Sequence, residues 1–391
     1  MQCDYFDAGV CRSCDLMGVA YGTQLAGKDA HARRLLERHP DAEWLPPLAS
    51  DPEAFRSKAK MVVGGTSAEP TLGILDEARI GVDLRRCGVI STGIRAAFDP
   101  VAAFIARAAI EPYDVRARRG ELKLVVVLEA PDGSLMIRFV LRSREAEGRM
   151  RKHLPALLAA VPTAAVVTIN LQPEHKAVVE GPDELPLTPV DTLLVRLDDV
   201  TLHVRPGSFV QTNTGVASAL YREGAEWVAA AAPRSVWDLY CGVGGFGLHV
   251  AARAAADGPG MRVLGVELSA EAIESARAAG VPGTRFEVGD ATAFAERSDP
   301  ADRPDVVIVN PPRRGLGARL AGWLEREGPA SVLYSSCNSV SLAADLERMP
   351  SYRVDRARVF DMFPQSSHYE LLTLLTRRVR RAGAGSPSRG R

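Results

Sequence analysis

Residues 235–247 read SVWDLYCGVGGFG, and this stretch decides the fold of the second half of the chain. An apolar run suited to a buried strand, residues 235–240, leads directly into a segment rich in glycine. Glycine lets the backbone turn sharply from a strand into a helix, and it lets a ligand approach closely. The stretch therefore predicts a ligand-binding turn at the end of the first strand of an α/β domain.

Strands and helices alternate after this turn and just before it. A helix is predicted at 212–232, and further helices at 246–256, 269–279 and 317–326. The predicted strands are 235–240, 262–267, 285–288, 305–309 and 330–335, with two closing strands near 352–359 and 369–376. This alternation is typical of βαβ units, so we expect an α/β, Rossmann-like domain with a parallel sheet covered on both faces.

The first half of the chain has a different pattern. Residues 122–129 and 135–141 flank a Pro131-Asp132-Gly133 turn and predict a hairpin. A helix is expected at 143–160, and strands at 165–171 and 193–204, with a break at Asp198-Asp199. Residues 1–55 suggest short helical or irregular segments. We therefore expect an α+β region with antiparallel pairing ahead of the α/β domain.

Composition limits the classes of protein that the chain can belong to. Its 391 residues carry 48 basic and 48 acidic side chains, so binding of nucleic acid by bulk charge is excluded, although a local basic patch is not. The N-terminus has Asp4 and Asp7 and no apolar core, and the longest apolar stretch, 156–169, is interrupted by Pro162. We expect a soluble cytoplasmic protein with no membrane partner, whose residues 379–391 form a disordered basic tail.

Acidic side chains at strand ends indicate a nucleoside ligand. Glu267 closes the second predicted strand, and Asp290 follows the third. At the carboxyl ends of parallel strands beside Gly242 and Gly244, such acceptors can bind ribose hydroxyls and an adenine amino group. Each acid could instead be a helix cap or a surface residue. The glycine turn alone does not separate NAD, FAD and S-adenosylmethionine.

The fourth predicted strand ends in Asn310-Pro311-Pro312-Arg313-Arg314-Gly315. Two prolines fix their φ angles and lack N–H groups, so this backbone is rigid. Rigid backbone beside a cofactor suits the positioning of a planar base. Asn-Pro-Pro loops recur in methyltransferases that act on nucleobases or amides, which favours S-adenosylmethionine.

Cysteine and glutamate follow at the later strand ends. Cys337 stands at the end of the fifth strand, in YSSCN, and Glu370 enters the last strand, in DMFPQSSHYE. A thiol and a carboxylate on neighbouring sheet ends would face a methyl donor, although Cys337 could also be an inert core residue. Cys241 is expected to be buried in the glycine turn.

Four further cysteines form a second group. Cys3, Cys11 and Cys14 have the spacing C-x7-C-x2-C, and Cys87 follows later. In a reducing compartment such thiols indicate a metal site. They could hold a zinc ion or an iron–sulfur cluster, or be free thiols, and the thiols themselves do not decide.

The motifs FVQTN (209–213), DLYCGVGGFGLHVA (238–251), VELS (266–269), NPPRRG, YSSCN and DMFPQSSHYE resemble the RNA (uracil-5-)-methyltransferase family. The resemblance implies that Cys337 is the nucleophile that adds to uracil C6 and that Glu370 is the base that removes the C5 proton. It also implies S-adenosylmethionine as the methyl donor, with contacts from Gln211, Tyr240, Glu267 and Asn310, and less directly from Asp290, Gly242 and Gly244.

The N-terminal block, with FRSKAKMVVGG (55–65) and RRGELK (118–123), resembles the 23S rRNA subfamily. The resemblance implies a [4Fe–4S] cluster on Cys3, Cys11, Cys14 and Cys87. It also implies the smaller type of enzyme in this subfamily, which methylates uridine 747 and lacks an N-terminal TRAM barrel. Cys3 is expected to leave no room for such a barrel. We expect a monomer whose partner is 23S rRNA. The expected parts are a cluster region (1–90), a central RNA-binding α+β domain (91–205) and the methyltransferase domain (206–378).

Three alternatives stay open. The same chemistry could act on tRNA or on another rRNA uridine. An amino-N methyltransferase would use the Asn-Pro-Pro loop without needing Cys337 or Glu370. The third alternative is not an enzyme but an iron–sulfur RNA-binding or chaperone module with a degenerate methyltransferase half. A target uracil must be flipped out of its helix to react. Candidate holders of the base are Phe363, Tyr369 and Arg313. A basic face, if it is not merely solvated surface, would contain Arg56, Lys58, Lys60, Arg116, Arg118, Arg119, Lys123 and Arg138, with Arg313 and Arg314.

Overall fold

The computed structural model describes residues 1–175, 180–257 and 260–378. The tail expected at 379–391 lies outside the described residues. The N-terminal segment contains the short helix α1 (Asp4–Asp7), the helix α2 (Tyr21–Leu35) and the two-residue strand β1 (Glu43–Trp44). The sequence predicted only short helical or irregular segments here, so the four-turn α2 is a finding of the structure.

A seven-stranded sheet follows. Its strands are β2 (Lys58–Gly65), β3 (Pro70–Leu75), β4 (Gly81–Asp83), β5 (Leu122–Glu129), β6 (Leu135–Leu141), β7 (Ala164–Leu171) and β8 (Asp183–Pro186). Their order is β4-β3-β2-β5-β6-β7-β8, and each pair is antiparallel except β6 with β7. The predicted hairpin is confirmed as β5 and β6, and the expectation of antiparallel pairing fails only at β6 and β7.

Two helices cover this sheet, α3 (Thr92–Arg107) and α4 (Glu147–Ala160). On α3 the apolar side chains Ile94, Phe98, Val101 and Ile105 recur at helical spacing and are fully buried. They pack with the inward side chains of the sheet, among them Phe139, in one core. The predicted helix at 143–160 begins four residues later than expected.

A separate hairpin, β9 (Leu193–Leu197) and β10 (Val200–Val204), confirms the break at Asp198. Alternate residues of both strands are buried, so one face is apolar. That face joins the core of the following α/β domain, which also contains Leu128, Met136 and Val166 of the seven-stranded sheet.

The remaining strands and helices alternate, and two of the helices, Ala291–Arg297 and Ser339–Glu347, were not predicted. The helices are α5 (Thr214–Ala230), α6 (Gly245–Asp257), α7 (Ala270–Ala278), α8 (Ala291–Arg297), α9 (Gly317–Glu327) and α10 (Ser339–Glu347). The strands are β11 (Ser235–Leu239), β12 (Arg262–Glu267), β13 (Thr284–Val288), β14 (Val306–Val309), β15 (Ser331–Ser336), β16 (Tyr352–Phe360) and β17 (Glu370–Arg377). A 3₁₀ turn, Pro300–Asp302, precedes β14.

These strands form one sheet in the order β13-β12-β11-β14-β15-β17-β16-β1. Strands β11 to β15 pair in parallel, and β17 runs antiparallel to both neighbours. Apolar side chains are buried on both faces of the sheet. The expected Rossmann-like α/β class is thereby confirmed.

The N-terminal segment reaches this second sheet as well as the first. Strand β1 pairs in parallel with β16 at the sheet edge. The two domain boundaries expected at 90 and 205 stay a proposal. Among the described residues, no helix is both long enough and apolar enough to cross a membrane.

Candidate active site

The glycine turn lies at the point where the strand order changes direction, because β11 is flanked by β12 and β14. Gly242 and Gly244 have φ angles of +55° and +90°, which glycine adopts without strain. Tyr240 has φ of +64°, a costly value for a residue with a side chain. A Cβ built on Gly242 would meet no atom within 4 Å, so open space for a ligand adjoins the turn.

Acidic residues border this open space. Glu267 is half-buried at the end of β12, and its carboxylate accepts the N–H groups of Gly242 (3.3 Å) and Ser269 (3.1 Å). Asp290 is exposed and caps α8, accepting the Ala293 N–H at 2.8 Å. The helix-cap alternative is therefore correct for Asp290, although a carboxylate keeps further lone pairs for a ligand.

Three more predicted contacts lie around the same turn. Tyr240 is half-buried, and burial raises the pKa of its hydroxyl. Asn310 ends β14, directly beside β11. Gln211 is 9 % exposed and lines a small cavity together with Val243 of the turn. The structure thus brings the predicted cofactor contacts to one end of the sheet.

The two predicted catalytic residues face each other across neighbouring strands. Strands β15 and β17 are antiparallel, and Ser336 pairs with Leu371. Continuing this register by one residue places Cys337 opposite Glu370. Residues that are opposite in an antiparallel pair point to the same face. The sheet itself therefore holds the thiol and the carboxylate together.

Glu370 is poised as a base. It is 1 % exposed, and burial raises the pKa of its carboxyl to about 7. The Ser335 hydroxyl donates to Oε1 at 2.6 Å, whereas Oε2 has no hydrogen-bond partner among the described residues. Ser335 was not among the predicted site residues; its place two residues before Cys337, on the same face of the strand, was the available signal.

The Cys337 thiol experiences opposing influences. Burial and the nearby Glu370 carboxylate raise its pKa, while the Arg313 guanidinium lowers it. Arg313 is exposed on the Asn-Pro-Pro loop, and the Asn338 side chain donates to its carbonyl at 2.9 Å. Cys337 also borders a cavity of about 490 Å³. The thiol can be reached from this cavity, but the net effect on its pKa is a rise, because Arg313 only partly offsets the influences that disfavour the thiolate.

The other candidate holders of a base differ in availability. Phe363 lies edge-on to His368, with ring centroids 6.4 Å apart. Tyr369 is 5 % exposed, and its hydroxyl bonds His31 (2.8 Å) and Ser339 (2.6 Å), which favours a packing role.

The four N-terminal cysteines line one cavity of about 450 Å³ together with Arg56. Burial, followed by the charges of the other three thiols, raises the pKa of Cys14 to about 12, so the four sulfurs lie close enough to interact. Within residues 1–175, 180–257 and 260–378, however, no three His, Cys, Asp or Glu side chains converge tightly enough to hold one metal ion. The geometry therefore does not show the predicted cluster. The same cavity reaches Arg313 and Phe363, although these lie far away in the sequence.

The predicted basic face is only partly formed. Arg138 is 4 % exposed and pairs with Glu180 and Glu184, so its inclusion was wrong. Lys60 pairs with Glu180 at 2.9 Å. The exposed members are Arg116, Arg118, Arg119, Arg313 and Arg314, in addition to Lys60.

Comparisons with known proteins agree with this site. A model of the tRNA (Uracil-5-)-methyltransferase family matches residues 303–378, which contain the Asn-Pro-Pro loop, Cys337 and Glu370. The 23S rRNA (uracil(747)-C(5))-methyltransferase RlmC of Serratia proteamaculans is 44% identical over 382 residues, covering 96% of this chain and 100% of the relative. The same enzyme of Escherichia coli O157:H7 is 42% identical over the same shares.

A solved structure is also similar over most of the chain. The tRNA (uracil-54, C5)-methyltransferase of Pyrococcus abyssi, in complex with S-adenosyl-L-homocysteine, has a TM-score of 0.75 and 26% sequence identity, covering 93% of this chain and 85% of that one. Together with the full-length relatives, the paired thiol and carboxylate mean that the chain belongs to the RNA (uracil-5-)-methyltransferase family, in the group that contains the RlmC enzymes.

Proposed function

We propose that the chain transfers a methyl group from S-adenosylmethionine to C5 of the uridine equivalent to uridine 747 in 23S rRNA. The observation that carries the chemistry is the pairing of Cys337 with Glu370 at one end of the sheet. The relatives matched over their full length are named for that target, which supports the choice of RNA. We place this reaction in the cytoplasm, where bacterial rRNA is found.

The reaction needs both side chains because uracil C5 is a weak nucleophile. The Cys337 thiolate forms a bond to C6, and the C5–C6 π electrons move to give an enolate. Bound S-adenosylmethionine supplies the methyl group that C5 then attacks. Glu370 removes the proton from C5, the electrons of that bond restore the C5–C6 double bond, and the Cys337 sulfur leaves as thiolate. A carboxyl whose pKa is about 7 suits this proton transfer near neutral pH.

The residues around the glycine turn fit S-adenosylmethionine. The open space beside Gly242 leaves room for the cofactor, and Glu267 offers carboxylate oxygens at the end of β12. Glu267 would bind the ribose and Asp290 the adenine, and Tyr240, Gln211 and Asn310 would complete the site. Neighbouring Arg313 stabilises the attacking thiolate.

The four N-terminal cysteines fit a [4Fe–4S] cluster better than a single metal ion. Each iron of such a cluster takes one thiolate, so its four sulfurs stand farther apart than the ligands of one zinc ion. Four half-buried thiols around a cavity, with the Arg56 guanidinium facing Cys14 and Cys87, match that requirement. We propose that the cluster fixes the N-terminal segment and supplies no redox step.

Methyl transfer to defined RNAs tests the proposed function. The purified chain should transfer labelled methyl groups from S-adenosylmethionine to unmodified 23S rRNA at one uridine, and not to tRNA. Cys337→Ala should abolish transfer while binding of S-adenosylhomocysteine persists. Labelling of tRNA would reassign the substrate to the class on which the Pyrococcus abyssi enzyme acts. Full turnover by Cys337→Ala would exclude the covalent mechanism.

Cluster content needs its own measurement. Protein purified without oxygen should be brown, and it should contain four iron and four sulfide per chain. Replacing Cys14 by serine should remove the colour. Colourless wild-type protein with one zinc per chain would overturn this assignment.

A further inference from the structure

Helix α2 buries polar side chains that the proposed chemistry does not use. Gln24 and Lys28 are each only 3 % exposed. Burial of a lysine is costly unless a charge partner is present, and here burial lowers its pKa while Asp361 raises it. Gln24 donates to the nearby carbonyls of Leu16 and Val19, and both side chains also have partners in residues 361–369. We call residues 361–369 the catalytic connection because they join β16 to β17 and lead into Glu370.

Lys28 holds the beginning of the catalytic connection. Its ammonium lies 2.5 Å from Oδ1 of Asp361, which is completely buried, and donates to the Phe363 carbonyl at 3.1 Å. Phe360, the residue before Asp361, pairs with Glu370 across β16 and β17. Lys28 therefore binds the chain next to the strand pair that carries the base.

Gln24 and His31 hold the middle and the end. Gln24 donates to the Gln365 side chain at 3.0 Å and accepts the Gln365 N–H at 3.0 Å. Gln365 has φ of +65°, so its backbone needs such support. His31 bonds the hydroxyl of Tyr369, the residue before Glu370, at 2.8 Å.

The three α2 side chains share one face of the helix, because positions 24, 28 and 31 follow helical spacing. A buried ion pair adds little net stability compared with apolar side chains of similar volume, so stability alone does not explain this face. A requirement for fixed geometry explains the face, because three separate polar contacts specify one conformation of the catalytic connection. Two N-terminal backbone contacts add to it, from Leu16 N–H to the Gln365 carbonyl (3.0 Å) and from Ser367 N–H to Asp15 (3.0 Å).

We propose that α2 acts as a clamp on the catalytic connection, with Lys28 as a positioning residue that keeps the Glu370 carboxylate aligned for removal of the C5 proton. This inference rests on the proposed function. Loosening the clamp should impair the step that uses Glu370 more than the steps that use Cys337 or the methyl donor. A misplacement of about 1 Å can cost roughly 100-fold in rate, so a loss of 10- to 100-fold in kcat is expected.

The test compares Lys28→Met with Arg358→Met in the full-length protein. Arg358 lies on β16, forms a partly buried ion pair with Glu223 and lies over the ring of Phe360. Neither of these partners belongs to the catalytic connection, so the loss of Arg358 controls for general destabilisation of β16. Two RNA probes separate the steps: unmodified 23S rRNA, and the same RNA with 5-fluorouridine. Fluorine at C5 leaves no proton to remove, so the covalent adduct between the protein and the fluorinated RNA persists after methyl transfer. Formation of this adduct, which we call trapping, therefore reports only thiolate addition and methyl transfer.

With Lys28→Met we expect kcat to fall 10- to 100-fold, KM for RNA and affinity for S-adenosylhomocysteine to change less than about threefold, and a covalent adduct with normal RNA to accumulate. Trapping of fluorinated RNA should keep its wild-type rate. Arg358→Met should show none of these effects. If Lys28→Met does not fold, Gln24→Met is judged by the same measurements.

Several results would overturn the proposal. They are unchanged kcat, a rise in KM alone, equal slowing of trapping and turnover, or the same loss in Arg358→Met. Failure of the proposed function has a different signature, because the wild-type protein itself would then neither methylate 23S rRNA nor trap the fluorinated RNA.

Discussion

The free energy of unfolding of Glu370→Gln, minus that of wild type, should grow as pH rises. Burial raises the pKa of the folded carboxyl from 4.5 to about 7. The unfolded chain therefore releases this proton at lower pH than the folded chain, and wild type loses stability as pH rises between the two values. At about 1.4 kcal/mol per pKa unit, the loss is about 1 kcal/mol at pH 5.5 and about 3 kcal/mol at pH 8.5.

Urea unfolding of both proteins at the two pH values measures this effect. The free energy of unfolding of Glu370→Gln, minus that of wild type, should grow by about 2 kcal/mol from pH 5.5 to pH 8.5. Contributions of the new amide that do not depend on pH cancel in this comparison. Glu347→Gln, at an exposed carboxylate on α10, should show no such growth. A difference that is independent of pH, or that shrinks, would refute the assignment of a buried carboxyl with a raised pKa.

Three other substitutions test the site and its frame. Ser335→Ala removes the hydrogen bond that lowers the pKa of Glu370, so the rise of turnover with pH, expected near pH 7, should move up by about one unit in a pH–rate profile. Arg313→Met should raise the pKa of Cys337 and slow trapping of 5-fluorouridine RNA several-fold at pH 7. At pH 9 the rate should partly recover. Equal slowing at both pH values would contradict the role of Arg313 in stabilising the thiolate. Gly245→Ala would place a Cβ 2.5 Å from a buried tyrosine ring and should destabilise the fold by about 1–3 kcal/mol in urea unfolding.

The second half of the chain was predictable because its signals are local. Each strand of the parallel sheet is a short apolar run followed by a turn and a helix, and no distant partner is needed to recognise it. The strands β2 to β4 were harder to predict, since Gly64, Gly73 and Gly81 break the alternation of side chains. In the structure these glycines let neighbouring backbones approach closely; a Cβ on Gly73 would overlap the Val82 carbonyl.

Helix α2 was missed for a different reason. Its inward face carries Gln24 and Lys28, which normally indicate a solvated surface. Partners in the catalytic connection help to make burial of both side chains favourable, and those partners lie more than 330 positions away. The sequence placed Cys337 and Glu370 on neighbouring sheet ends, whereas the register of β15 and β17, which sets them opposite each other, appears only in the folded sheet.

The contact between Gln24 and Gln365 also governs the order of assembly during synthesis. The two residues are 341 positions apart, and ribosomes add about 5–20 residues per second, so α2 waits roughly 20–70 s for its partner to be made. During that interval the buried polar face of α2 and the four nearby cysteines have no finished surroundings. Catalytic competence is therefore acquired only after the catalytic connection has been synthesised and has met helix α2.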